Sequence, residues 1–337
     1  MAKRIVCAEY LEPALRTFPE KQLSNKPHVL AIARLSPLLM PQLQAAFELH
    51  ERLHETDPAA FEKLAPEIRA IAASGESKVS AELIAKLPAL EIISVMGVGY
   101  DGIDVAAAKT HEVVVTHTPE VLNEDVADLA IALMLAAARQ LPAADRYVRA
   151  GHWAKGPPPL ARKMSGARLG LVGMGRIGQA IAQRALAFGM SIAYTARNQR
   201  EVPYRYVGSA KELAAEVDFL VVITPGGAAT KHLINAEVLT ALGKKGILVN
   251  VARGSVVDEA ALIDALERGT IGGAGLDVFE NEPNVPERLL ALPHVVVTPH
   301  IGSGTSQTRQ AMADLAFGNL KAHFAGQPLL SPVPECR

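Results

Sequence analysis

Residues 168–197 read R-L-G-L-V-G-M-G-R-I-G-Q-A-I-A-Q-R-A-L-A-F-G-M-S-I-A-Y-T-A-R. A short apolar run leads into three glycines spaced G-x-G-x-x-G. A helical pattern follows, then a second apolar run. This is the strand–turn–helix–strand setting of a dinucleotide fingerprint. Gly173 takes the tight turn. Gly175 lets the backbone approach a pyrophosphate, which the free N–H groups of a helix N-terminus hold. Gly178 lets the helix close on its strand. The spacing alone also occurs in flexible loops, and the flanks give it meaning here.

The end of the second apolar run bears on which dinucleotide. An Asp or Glu there accepts hydrogen bonds from a ribose 2′-hydroxyl. Nineteen residues after Gly178 stands Arg197, followed by Asn198 and Arg200. A carboxylate repels a 2′-phosphate, whereas a guanidinium pairs with one. The pattern favours NADPH over NADH, although two solvated surface arginines and the neighbouring Glu201 leave the alternative open.

Short apolar runs alternate with helical patterns on both sides of the fingerprint. Strands are expected at 29–33, 68–73, 91–96 and 113–116, with helices at 41–47, 80–86 and 104–110. A long helix over 124–139 puts Val126, Leu129, Leu133, Met134 and Ala137 on one stripe. This helix serves a dimer interface or lies buried within one subunit. A looser stretch, 151–163, contains Pro157, Pro158 and Pro159. Later strands are expected at 219–223, 247–251, 274–278 and 295–298, and a closing helix at 305–324 that folds back onto the first unit. Strands alternating with helices imply parallel sheets covered on both faces. The expected fold is therefore α/β, with two doubly wound Rossmann-like domains and an active-site cleft between them. Ligands then sit at the strand C-termini. The flavodoxin-like substrate domain takes 1–123 and 304–337, with 1–27 as an extension, and the NAD(P)-binding Rossmann domain takes 124–303.

Three downstream segments each end a predicted strand and carry one reactive group. They are Asn250-Val251-Ala252-Arg253-Gly254-Ser255, the segment 276–283 ending Phe279-Glu280-Asn281-Glu282-Pro283, and Thr298-Pro299-His300-Ile301-Gly302. Arg253 offers a planar fork that grips a carboxylate and its neighbouring carbonyl. A protonated imidazole at His300 can deliver a proton to a ketone oxygen, and a carboxylate at Glu282 would raise its pKa and orient it. Spacing does not show that the three converge. Singly they also read as a surface Arg, a capping Glu and a hydrogen-bonded His.

These motifs, with Val98-Gly99-Tyr100-Asp101-Gly102-Ile103-Asp104 and Val121-Leu122-Asn123-Glu124-Asp125-Val126-Ala127-Asp128, run in the order found in the D-isomer-specific 2-hydroxyacid dehydrogenase family, which the chain resembles from Val29 to Glu335. The resemblance implies Arg253, Glu282 and His300 as the catalytic set, with Glu282 rather than Glu280 as the partner of His300. It implies that Val98 and Gly99, with Arg253 and His300, bind the substrate. It assigns cofactor contacts to Gly173, Met174, Gly175, Arg176, Ile177, Gly178, Arg197, Asn198, Arg200, Thr224, Pro225, Val251, Ala252, Asp277 and Gly302, with Asp277 facing the nicotinamide carboxamide. Within the family the chain is most similar to NADPH-dependent glyoxylate/hydroxypyruvate reductases, through Gly151-His152-Trp153, Ile192-Ala193-Tyr194 and the Arg197/Arg200 pair. Trp153, the only Trp, would reach a neighbouring active site or anchor a dimer interface. The chain departs from the family at its first 27 residues and at Thr224-Pro225-Gly226-Gly227, glycine-rich where bulkier residues are common, which would widen or loosen the ribose end of the cleft.

The expected activity is NADPH-dependent reduction of small 2-oxo acids to D-2-hydroxy acids by a cytoplasmic homodimer. Alternatives are a 2-ketogluconate or aryl-pyruvate reductase on the same scaffold, and a nucleotide-sensing, corepressor-like protein without turnover. The chain of 337 residues is 49% hydrophobic and carries a formal net charge of −1, which points away from nucleic acid and anionic membranes. No apolar run approaches a membrane span. Its two cysteines, Cys7 and Cys336, make neither a metal site nor a disulfide framework and read as incidental thiols.

Overall fold

The computed structural model describes residues 26–336; the first 25 residues of the expected extension, Cys7 among them, lie outside the described residues. The apolar runs form two parallel sheets. The first has five strands: β1 (His28–Ala31), β2 (Glu48–Glu51), β3 (Ile68–Ser74), β4 (Ile92–Met96) and β5 (Val114–Thr116). They lie in the order β2-β1-β3-β4-β5, the flavodoxin-like order. The second has seven: β6 (Arg168–Val172), β7 (Ser191–Thr195), β8 (Arg205–Tyr206), β9 (Phe219–Val222), β10 (Ile247–Asn250), β11 (Gly273–Leu276) and β12 (Val295–Val297). Their order, β12-β11-β10-β9-β6-β7-β8, reverses between β6 and β9, as in a dinucleotide-binding sheet.

Every residue of β4, β9, β10 and β11 is buried. Helices cover both faces of a parallel sheet, so such strands read as unbroken apolar runs instead of alternating ones. The closing helix, Ser306–Phe324, packs on β4, where Ser94 Oγ donates to the Ala316 carbonyl at 2.9 Å. Buried Asn319 on the same helix holds the C-terminal segment, donating to Ser331 Oγ and accepting from the backbone of Leu330 and Ser331.

Several elements fall outside the expected pattern, the short helices Leu53–Thr56 and Pro58–Leu64 among them. Edge strand β2 has exposed glutamates at both ends and half-buried Leu49 and His50 between them, with no apolar run to announce it. β8 is two residues long. The helix Leu141–Arg149 buries none of its residues, although Leu141, Ala144 and Val148 share one of its faces. That spacing and Pro142 in the first turn, a favoured helix-start position, are the signals the sequence held.

The helix Asn123–Arg139 lies within the subunit, against the helix Arg176–Ala187 on one side and β10 and β11 on the other. Its burial is broader than the expected stripe. Ala127, Ala130, Ile131 and Ala138 join Val126, Leu133, Met134 and Ala137, while Leu129 is only half-buried. Two packed faces require more apolar positions than one. Among the described residues, no single helix is long and apolar enough to cross a membrane.

Candidate active site

The C-terminal ends of the two sheets face each other, and reactive side chains from both meet there. Arg253 follows β10. Asn250, buried at the end of that strand, accepts from Ala252 N at 3.1 Å and donates to the Arg253 carbonyl at 3.0 Å. This fixes the turn from which Arg253 projects. Its Nη1 donates to the Ala252 carbonyl (2.8 Å), and its Nε to Asp101 of the first sheet's β4 loop (3.2 Å).

His300 follows β12 in the left-handed region, at φ 51°. Non-glycine residues visit that region rarely, and when they do the surroundings hold them there. The holder here is Asp277 at the end of β11. Its carbonyl accepts from His300 N (2.9 Å). Its buried carboxylate accepts from Ile301 N, Gly302 N and Thr298 Oγ1, at 2.8, 2.8 and 2.7 Å. Burial is the main reason that the Asp277 carboxyl lies above the usual carboxylate range, with these hydrogen bonds opposing it. The side chain expected to face a nicotinamide carboxamide thus also shapes the His300 loop.

Glu282 precedes Pro283 across a cis peptide bond. Its Oε1 accepts from Phe279 N (2.9 Å), and its Oε2 lies 2.7 Å from His300 Nδ1. The side chains of His300, Glu282 and Arg253 are 28%, 23% and 22% exposed, dry enough for charges to act strongly yet open to a ligand. Burial alone would lower the imidazole pKa. The Glu282 hydrogen bond and charge outweigh it, with help from Glu76, and the net shift is upward. Glu282 moves the other way: burial would raise it, but His300, Phe279 N–H and Arg253 hold it below the usual range. Arg253 is near enough for its charge to act on both partners. The three groups that spacing could not connect therefore converge.

Around Arg253, the loop after β4 carries Val98 and Gly99. Val98's carbonyl lies 2.9 Å from His117 Nδ1. A side chain at Gly99 would fall 1.8 Å from Arg253 Nη2, so the guanidinium occupies its place. Glu76, after β3, stands 3.1 Å from His300 Nδ1 as a second acid, 63% exposed. Asp101, Glu76 and Asn250 were not anticipated. Asp101 lay inside a motif already noted, but nothing in its local pattern names a partner 152 residues away.

The residues at the tip of β6 fit a dinucleotide. Gly173 turns with φ 113°, and a Cβ there would clash with the Ile223 carbonyl at 2.3 Å. Gly175 is the N-cap of the helix Arg176–Ala187 and no side chain caps that helix. A side chain on Gly175 would meet no protein atom and would fill the space outside the helix N-terminus, where an anion is held. Gly178 is buried against Gly173. Met174 is buried in the core, Ile177 is half-buried, and exposed Arg176 pairs with Glu120 (3.1 Å). Arg197, Asn198 and Arg200 are exposed beyond β7. Tyr194 Oη donates to the Arg200 carbonyl and accepts from its N–H, pinning that loop. Among the described residues, neither Arg197 nor Arg200 has a carboxylate within ion-pair distance. Thr224 and Pro225 follow β9, buried Val251 and Ala252 follow β10, and buried Gly302 follows His300.

Gly226 departs from the expectation of a widened ribose end. A side chain there would stand 2.7 Å from Asp101 Oδ2 and 3.0 Å from Arg253 Cγ. Its smallness makes room for that pair.

Comparison with known proteins gives a consistent picture. The family described as D-isomer specific 2-hydroxyacid dehydrogenase, NAD binding domain, matches residues 131–302. The chain is 48% identical to a hydroxyphenylpyruvate reductase of Plectranthus scutellarioides, over 90% of this chain and 98% of the relative. It is 47% identical to a glyoxylate/hydroxypyruvate reductase of Arabidopsis thaliana, over 90% and 98%. Among solved structures, it is similar to an NADPH-dependent glyoxylate/hydroxypyruvate reductase of Sinorhizobium meliloti in complex with NADP and malonate. There the identity is 46%, the TM-score 0.87, and the match covers 93% of this chain and 98% of that one.

Proposed function

The chain belongs to the D-isomer-specific 2-hydroxyacid dehydrogenase family, a family of NAD(P)-dependent oxidoreductases, and from that premise we propose that it reduces small 2-oxo acids, glyoxylate and hydroxypyruvate foremost, to D-2-hydroxy acids with NADPH. One observation carries the proposal: an imidazole with a raised pKa, hydrogen-bonded to a carboxylate at 2.7 Å, within the field of an arginine at the mouth of the nucleotide-binding sheet.

Reduction of a ketone requires a hydride on carbon and a proton on oxygen. When bound, reduced nicotinamide supplies the hydride. Arg253 grips the substrate carboxylate and polarises the adjacent carbonyl, aided by the backbone N–H groups of Val98 and Gly99. Glu282 takes the Nδ1–H of His300 and leaves Nε2–H to face the developing alkoxide. His300 delivers that proton and returns neutral, to be recharged from solvent. The uncapped N-terminus after Gly175 suits the pyrophosphate, with Gly173, Met174, Arg176, Ile177 and Gly178 forming the turn. Thr224, Pro225, Val251, Ala252, Asp277 and Gly302 line the nicotinamide side.

The preference for NADPH rests on Arg197 and Arg200. Both are exposed and have no acidic partner among the described residues. The substrate domain comprises 1–123 and 304–337, and the cofactor domain 124–303. The homodimer draws support from Leu141, Val148, Trp153 and Leu160, apolar side chains at least half exposed within one segment. An aryl-pyruvate substrate is the second reading, favoured by the hydroxyphenylpyruvate reductase relative.

Initial rates with hydroxypyruvate, glyoxylate and phenylpyruvate, each with NADPH and with NADH, test the proposal. Fast turnover of the small acids with NADPH supports it. Turnover confined to the aryl acid moves the substrate. No turnover by protein that binds NADPH overturns the reductase reading in favour of a sensor.

A further inference from the structure

Arg253 is held from both sides of the cleft. Its Nη1 is tied to its own chain at the Ala252 carbonyl, and its Nε is tied across the cleft to Asp101. The Arg253 and Asp101 side chains are 22% and 26% exposed. A guanidinium has five N–H donors in a rigid plane. Two anchors on different edges of that plane fix its orientation. The remaining donors include both on Nη2, the nitrogen lodged against Gly99.

The surroundings are shaped around this pair. A Cβ at Gly99 would lie 1.8 Å from Arg253 Nη2 and 3.0 Å from Asp101 Oδ1. A Cβ at Gly226 would lie 2.7 Å from Asp101 Oδ2 and 3.0 Å from Arg253 Cγ. The ion pair is therefore sandwiched between two glycines from opposite sheets. Within the glycine-rich turn at 224–227, Gly226 thus leaves room for this pair.

We propose that Asp101 is the positioning residue for Arg253, orienting the guanidinium toward the substrate carboxylate, and that Gly226 is small in order to admit it. This rests on Arg253 binding the 2-oxo acid, as set out above. Asp101 itself touches no reacting atom. It acts through Arg253, and because it belongs to the opposite sheet, the fork is aligned only when the cleft is formed.

The test is steady-state reduction of the best 2-oxo acid by wild type, Asp101→Asn, Asp101→Ala and Gly226→Ala. Asp101→Ala is expected to lower kcat/KM about 10- to 100-fold, mostly through KM for the oxo acid, with NADPH affinity and Tm near wild type. Asp101→Asn keeps an acceptor oxygen and loses the charge, so its loss is smaller. Gly226→Ala forces the carboxylate aside and raises the same KM; it and Asp101→Asn carry the test if Asp101→Ala does not fold. In an Arg253→Lys background, which lacks the fork, Asp101→Ala adds less than about a twofold loss. Equal losses in both backgrounds, or a Gly226→Ala enzyme and an Asp101 variant with wild-type KM, overturn the proposal. A wild type inactive on every 2-oxo acid instead refutes the reductase reading itself.

Discussion

Glu282 Oε2 lies 2.7 Å from His300 Nδ1, and the two groups shift each other's acidity in opposite directions. Each shift favours the charged form of its own group, carboxylate beside imidazolium, which is the state the proposed proton transfer requires.

The pH dependence follows from that state. His300 has a raised pKa, so reduction is supported below it and declines as pH rises through it. Glu282→Gln removes the main raising influence. The alkaline limb of reductive kcat/KM then moves to lower pH, with a loss of about 10-fold or more at pH 8 and a smaller one at pH 5–6. Oxidation of the hydroxy acid needs neutral imidazole, so its acid limb moves to lower pH as well. Profiles of kcat/KM in both directions check this, and unmoved limbs would remove Glu282 as the partner.

His300→Ala should cost about 10²- to 10⁴-fold in turnover while NADPH titrates normally. Equilibrium binding followed by nucleotide fluorescence, beside the steady-state rate, separates the two. Surviving turnover would mean that another group supplies the proton.

Arg197→Asp places a carboxylate where a 2′-phosphate would sit. The NADPH/NADH ratio of kcat/KM should fall about 10- to 100-fold, chiefly through KM for NADPH. An unchanged ratio would exclude Arg197 as the discriminator.

Much of this was legible because it is local. Glycine spacing, apolar runs and a His or Arg just past a strand are dictated within a dozen residues, so the fingerprint, most strands and three candidate side chains could be read directly, while the joining of those three into one set came from the family resemblance. Long-range pairings could not. Asp101 and Glu76 find their partners only once two sheets face each other. The helix Leu141–Arg149 carries a short apolar face, Leu141, Ala144 and Val148, that went unread, and it buries none of its residues. Gly226 signalled that something was unusual, but a missing side chain does not say which neighbour needs the space.

Stability gives a prediction remote from the cleft. Asp218 accepts from Arg162 Nη2, Arg168 Nε and Arg168 N at 2.8, 3.0 and 2.9 Å. The Arg168 hydrogen bond is the main cause of its low pKa, about 2. A depressed carboxylate stabilises the fold fully above its unfolded pKa of about 3.9 and loses that contribution as pH falls through about 2. After screening by solvent the contribution is about 1 kcal/mol. Asp218→Asn should lower Tm by about 2 °C at pH 7, and the gap should narrow at pH 3. A gap independent of pH would show that charge is not its origin.

His300, Glu282 and the nucleotide cradle all hang from the seven-stranded sheet, whereas Val98, Gly99, Asp101 and Glu76 hang from the five-stranded one. Such a division puts the His300–Glu282 pair and part of the surroundings of Arg253 on separate supports. Change in the 98–101 loop can retune which acid the proposed site accepts while the Glu282–His300 hydrogen bond stays untouched, whereas change at Glu76 also reaches the acidity of His300. One wall of the cleft can thus be rebuilt without dismantling the other, provided that each new loop still leaves Arg253 its seat.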